Sequence, residues 1–202
     1  MKKIFFSAML LLAFALVSFN DTITDLPIGA ALPKGEIKMK DISDKMISLK
    51  DAADTNGLLV MFSCNTCPYV IRNQERTKEI SQYALANKIG VILVNSNEGS
   101  RSSDDSYEAM KTYAARQKYT WPYVIDANSV IADAFGAKRT PECFLFNNEL
   151  KLVYHGAIDD NPQDADAVKR HHLKEAVNEM ISGKEVSITT SRSVGCSIKR
   201  NG

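Results

Sequence analysis

Apolar and polar positions change their spacing several times along the chain, and each change marks an element. Ile4 to Phe19 is an almost uninterrupted apolar run behind Met1-Lys2-Lys3, the arrangement of a secretory signal. The run falls short of the roughly twenty residues that span a bilayer. Residues 1–20 are therefore expected to be a signal peptide, with an uncleaved N-terminal anchor as the alternative. Glu36 to Met39 and Met46 to Leu49 flank Asp41-Ile42-Ser43-Asp44 and predict a hairpin. Gly57 to Phe62 and Gly90 to Val94 are continuous apolar runs of strand length, which suit strands buried on both faces. Parallel strands need a crossover, so the segment between them, Cys64 to Lys88, reads as a helix although Arg72 to Glu79 is nearly all polar. A second helix is predicted over Asp104 to Lys118, its opening acids matching the positive helix N-terminus.

A strand follows at Tyr123 to Ile125, then a short helix from Ser129 to Phe135 that stops at Gly136. Glu142 to Phe146 and Leu150 to His155 predict a hairpin across Asn147-Asn148-Glu149. Over Asp164 to Ile181 the positions Ala165, Val168, His172, Ala176, Val177 and Met180 fall on one helical face. Residues 184–202, rich in Ser, Thr and basic groups, read as a loosely held C-terminal tail. This order predicts an α/β domain over residues 21–183: a central mixed β-sheet flanked by helices, with an N-terminal β-hairpin extension.

Export changes the reading of charge and cysteine. Loss of residues 1–20 removes Lys2 and Lys3 and no acid, so 25 basic and 24 acidic side chains become 23 and 24. A chain so balanced offers no electrostatic case for binding nucleic acid or anionic membrane; a membrane is a partner only if the N-terminal segment is retained. The four cysteines lie in a compartment that permits disulfides, and four allow three pairings.

Cys64 and Cys67 carry the strongest chemical signal. They stand where an apolar strand hands over to a helix, and sulfurs at i and i+3 there can close a small disulfide loop. The free N–H groups and dipole of a first helical turn favour a thiolate. On that ground Cys64 is assigned attack, as the more exposed and more acidic thiol, and Cys67 resolution. The alternative is half of a metal site, but the second CxxC it requires is absent, and no metal is assigned. Thr140-Pro141 opens a later strand; its peptide bond, if cis, presents an extended edge beside the disulfide. Cys143 reads as a small buried hydrophobe or a disulfide partner. Cys196 lies thirteen residues past Gly183, a span of up to about 45 Å, so it can reach the active site or Cys143. It is either a structural or regulatory thiol or a free one. Glu142 is the candidate proton acceptor, with an exposed strand-edge glutamate as the plainer reading. His172 reads as a core histidine, and Asp159-Asp160 as turn caps rather than metal ligands with His155.

Together these residues resemble the thioredoxin-like superfamily across nearly all of residues 26–198. The pattern is similar to an uncharacterised branch of the alkyl hydroperoxide reductase and thiol-specific antioxidant (redoxin) family. Five segments carry the likeness: Phe62 to Tyr69, Asn95 to Asn97, Thr140 to Glu142, Tyr154 to Asp160 and Gly195 to Lys199. The resemblance implies a thioredoxin-like fold and a redox-active disulfide with no other cofactor. One departure stands out. Peroxiredoxins place Pro seven and Thr or Ser three residues before the peroxidatic cysteine. Here those positions hold Gly57 and Met61 counted from Cys64, and Val60 and Cys64 counted from Cys67.

The expected activity is thus thiol–disulfide oxidoreduction outside the cytoplasm. Phe62, Pro68, Tyr69, Thr140 and Pro141 would frame the docking surface. The partners would be a protein disulfide or dithiol and an upstream electron donor or acceptor. A peroxiredoxin-like thiol peroxidase is the alternative. Further from the motif are a copper-binding chaperone, whose cysteines are typically spaced by three residues, and a redox-inert binding module.

Overall fold

The computed structural model describes residues 24–201, so the expected signal segment lies outside the described residues. Seven strands form one mixed sheet: β1 (Met39–Asp41), β2 (Met46–Ile47), β3 (Leu58–Phe62), β4 (Gly90–Asn95), β5 (Tyr123–Ile125), β7 (Glu142–Phe146) and β8 (Leu152–Gly156). Their spatial order is β2-β1-β5-β4-β3-β7-β8, and a separate pair joins β6 (Arg139–Thr140) to β9 (Cys196–Ser197). The apolar strands β3 and β4 run parallel at the centre, from Leu58 opposite Gly90 to Phe62 opposite Val94. On its other side β3 pairs antiparallel with β7.

All five residues of β3 are buried because the sheet is covered on both faces. Successive side chains of a strand point to opposite faces, and β3 divides accordingly. Leu59 and Met61 enter a cluster with Ile80, Ala84, Met110, Ala114, Leu173 and Val177. These belong to α3 (Gln74–Ala86), α4 (Tyr107–Gln117) and α6 (His172–Ile181). Leu58, Val60 and Phe62 enter the other cluster, with Leu49 of α1 (Leu49–Ala52) and Ile131 and Phe135 of α5 (Val130–Phe135). There Phe62, Phe135 and Phe144 meet edge to face at 5.0–5.5 Å. Each such fully buried side chain contributes about 1.5–3 kcal/mol, so the strand that delivers the CxxC loop is held rigidly from both sides.

Five expectations shift. The hairpin forms, but β1 runs on through Asp41, which was read as turn. Asp41 is buried, and its carboxylate accepts from Tyr123 N–H at 2.8 Å and Ser43 N–H at 2.9 Å, tying the hairpin to β5. The crossover is two helices, α2 (Pro68–Arg72) and α3, broken at Asn73. Asp104 and Asp105 precede α4 rather than opening it, and Ser106 is its N-cap.

The last helix is shorter than its apolar period predicted and begins only at His172. Upstream, side-chain oxygens of Asn161, Asp164 and Asp160 take backbone N–H groups of Gln163, Asp164, Asp166 and Lys169. Such local bonds compete with helical ones. Ala165 is consequently exposed, and the face is completed by Leu173, Ala176 and Val177.

The tail is not loose. Residues 189–191 run along β8, with His155 N–H bonded to the Thr189 carbonyl and Ser191 N–H to the His155 carbonyl. Ile198 is buried in the second core cluster. Arg200 is fixed to Asp133 at 2.7 Å and to the Ala137 carbonyl at 2.7 Å.

Candidate active site

The C-terminal end of β3 delivers Cys64 and Cys67 to the first turn of α2, where Cys67 is the N-cap and Pro68 the first helical residue. Proline suits that position because its missing N–H would have no helical partner. The Thr140–Pro141 bond is cis. Thr140 lies against both sulfurs: its hydroxyl is 3.3 Å from Cys64 Sγ, and its carbonyl oxygen is 3.2 Å from Cys67 Sγ. Cys64 and Cys67 are only 2% and 3% exposed, so the greater exposure expected of Cys64 is not found.

The two sulfurs ionise as a unit. The hydrogen bond from Cys64 pulls the Cys67 thiol down to about 4, against the opposing effect of burial. The S–H and N–H of Cys196 and the N–H of Val70 add donors to the same sulfur. Cys64 is pushed far up, first by holding the shared proton and then by burial. The Asp105 charge raises it further, while the Thr140 hydroxyl and Cys67 N–H work against the shift. Of the two coupled thiols Cys67 is thus the one drawn down and Cys64 the one pushed up. This reverses the acidity expected from sequence, because the helix begins after Cys67 rather than after Cys64.

Behind the loop stands a polar network that sequence reasoning missed. Buried Asp105 accepts from Asn65 N–H at 2.9 Å, Asn95 Nδ2 at 2.8 Å and Asn97 Nδ2 at 3.0 Å. Asn65 also donates to the Asp104 carbonyl at 2.7 Å and accepts from the Tyr123 hydroxyl at 2.9 Å. Asn97 reaches the other way, its Oδ1 taking Lys199 N–H at 2.9 Å. The available signal was the Asn95-Ser96-Asn97 segment at the end of a buried strand, three short polar residues where the apolar run stops.

Several assigned roles change. Phe62 is fully buried in the aromatic cluster, so it supports the loop from beneath and offers no docking surface. Pro68 is exposed, while Tyr69 and Pro141 are half-buried. The carboxylate of Glu142 is spent on structure. Oε2 accepts from Lys138 N–H at 2.8 Å and Arg139 N–H at 2.9 Å, and Oε1 meets His155 Nε2 at 2.8 Å. Asp105 is the carboxylate whose charge raises Cys64. Cys143 is fully buried opposite Met61, and burial pushes its thiol up. Asp159 caps Asn161 N–H and also pairs with Arg76 at 2.6 Å. His172 is half-buried on α6. Among the described residues no group of three or more His, Cys, Asp or Glu side chains could hold a metal ion.

Cys196 sits beside the pair. β9 runs antiparallel to β6 with Cys196 opposite Thr140, and the Cys196 side chain packs against the Cys64, Cys67 and Val70 cluster.

Residues 27–170 match the family described as Redoxin. The chain belongs to the redoxin family. Among solved structures this redoxin is similar to an uncharacterised conserved protein from Geobacillus kaustophilus, at 28% identity and a TM-score of 0.80 over 87% of this chain and 93% of that one. It is similar also to a hypothetical protein from Sinorhizobium meliloti 1021, at 29% identity and a TM-score of 0.80 over 89% and 97% of the two chains. PrxQ from Xylella fastidiosa, 16% identical with a TM-score of 0.57 over 79% and 98%, shares the thioredoxin-like fold. No curated protein matches the redoxin. The match and the fold together identify a redoxin with a thioredoxin-like fold.

Proposed function

We propose that this redoxin is a thiol–disulfide oxidoreductase acting outside the cytoplasm through Cys64 and Cys67. The observation that carries the proposal is two cysteine sulfurs of one CxxC loop, each within 3.3 Å of Thr140, the residue before a cis-proline. The thiolate is the nucleophile in disulfide exchange. The charge on Cys67 supports that sulfur as the one that attacks a substrate disulfide. Cys64 would then displace the product, closing the Cys64–Cys67 bond, the reverse of the order read from sequence. Each turnover reduces one substrate disulfide to two thiols and needs two electrons from an upstream dithiol. The signal-like residues 1–20 support the exported location.

Titration of the protein in dithiothreitol redox buffers tests the proposal. One two-electron transition is expected, abolished in both Cys64→Ser and Cys67→Ser. A pair that stays reduced across the range would defeat the reading. N-terminal sequencing of protein recovered from the extracytoplasmic fraction tests the location.

A further inference from the structure

Thr140, the residue before the cis-proline, is paired with the protein's own tail. Arg139 lies opposite Ser197 and Thr140 opposite Cys196. The Arg139 guanidinium bonds the Gly195 carbonyl at 3.0 Å, and Ile198 N–H bonds the Lys138 carbonyl at 3.0 Å. At Gly195 the tail approaches so closely that an added Cβ would stand 2.1 Å from the Thr140 carbonyl oxygen, which only glycine permits. An extended segment is thus docked on the active-site loop, and at the register position beside the pair it carries a cysteine. The Cys196 side chain packs against the cluster of Cys64, Cys67 and Val70, and of the two sulfurs it is Cys67 that Cys196 influences.

We propose that Cys196 is a third redox thiol, which in the oxidised protein attacks Cys67 of the Cys64–Cys67 disulfide, forming Cys67–Cys196 and releasing Cys64. The step rests on the dithiol cycle proposed above. One S–S bond breaks as another forms, no electrons leave the protein, and the proton of Cys196 passes to Cys64. Cys64 is suited to receive it, because burial and the Asp105 charge both favour its protonated form. In the reduced protein Cys196 is raised to about 11, by burial first and then by the neighbouring Cys67 sulfur. Oxidation of Cys67 removes that negative neighbour, while the Lys199 charge and the Tyr69 N–H still act to lower Cys196.

The exchange carries the disulfide outward. Cys64 and Cys67 are buried and Cys196 is half-buried, so an incoming dithiol meets Cys196 first. It attacks Cys196, forms a mixed disulfide, and closes its own disulfide, leaving Cys67 and Cys196 as thiols. The tail is in this sense a tethered substrate, passing two electrons from an external dithiol to the enclosed pair.

Cys64→Ser tests the contact directly, since it leaves Cys67, Cys143 and Cys196. The reduced variant is treated with oxidised glutathione, quenched in acid, denatured, alkylated and mapped. A Cys67–Cys196 cross-link is expected, with Cys143 alone alkylated. Recovery of Cys67 and Cys196 as separate glutathione adducts or free thiols would overturn the relay. The wild-type and Cys196→Ala proteins keep the test open should Cys64→Ser fail to fold. Reduction of the oxidised protein by dithiothreitol should slow roughly tenfold in Cys196→Ala, because access to the disulfide limits exchange. Equal rates, with Cys64–Cys67 present and Cys196 never joined to Cys67, overturn the relay alone. Absence of Cys64–Cys67 from oxidised wild-type protein defeats the dithiol cycle itself, and the relay with it.

Discussion

At the scale of single residues, the site depends on where one proton lies. Cys67 at about 4 is far below the ordinary 9.0 for a thiol, so its charge persists as pH falls through neutrality and is lost only below about 4. Thiolate absorbance of the reduced protein should therefore show a step well under the roughly 8.5 of free cysteine. Cys67→Ser should abolish the step, and Cys196→Ala should move it upward by removing an S–H donor. A low step that survives in Cys67→Ser would assign the charge elsewhere. Asp105 makes a second case. In Asp105→Asn the negative charge that raises Cys64 is gone, so the higher thiol step should fall. The amide's NH2 would also face the N–H donors now satisfied by the carboxylate. A buried donor left unpaired costs about 1–3 kcal/mol, measurable as a lower urea midpoint.

At the scale of elements, the tail strand is the part most open to a single atom. Gly195→Ala sets a methyl against the Thr140 carbonyl. Overpacking of this kind costs about 1–3 kcal/mol. The expected result is lower thermal stability together with faster alkylation of Cys196, whereas unchanged alkylation would mean β9 adjusts without leaving β6. The same strand marks the limit of what sequence discloses. β3, β4 and β7 were legible because burial on both faces leaves a continuous apolar run, and the CxxC follows directly from one of them. β9 has no such run. Cys196-Ser197 pairs with two residues of a loop, and its only apolar anchor is Ile198, so composition suggested mobility. The start of α6 was misplaced for the opposite reason: an apolar period continued through residues whose side chains satisfy the backbone better outside a helix. The Asp105 network was harder to read because Asn65 and Tyr123 join it from distant parts of the sequence, and the polarity of its members reads as surface until the fold encloses them.

At the scale of the whole molecule, the missing Pro and Thr argue against peroxides as substrates. Stopped-flow oxidation by hydrogen peroxide should be slow beside a dedicated peroxiredoxin; rapid, saturable oxidation of one cysteine with turnover by a thiol donor would favour the peroxidase. The course of the tail has one more consequence. β8 is the outermost strand on its side of the sheet, and the chain around Thr190 bonds to His155 on its free margin. An uncovered strand margin is a template for joining another chain. Ile198→Asp should unseat the tail, and light scattering should then rise with protein concentration while the wild type stays unchanged. The segment that brings Cys196 to the pair thus also covers an edge of the sheet.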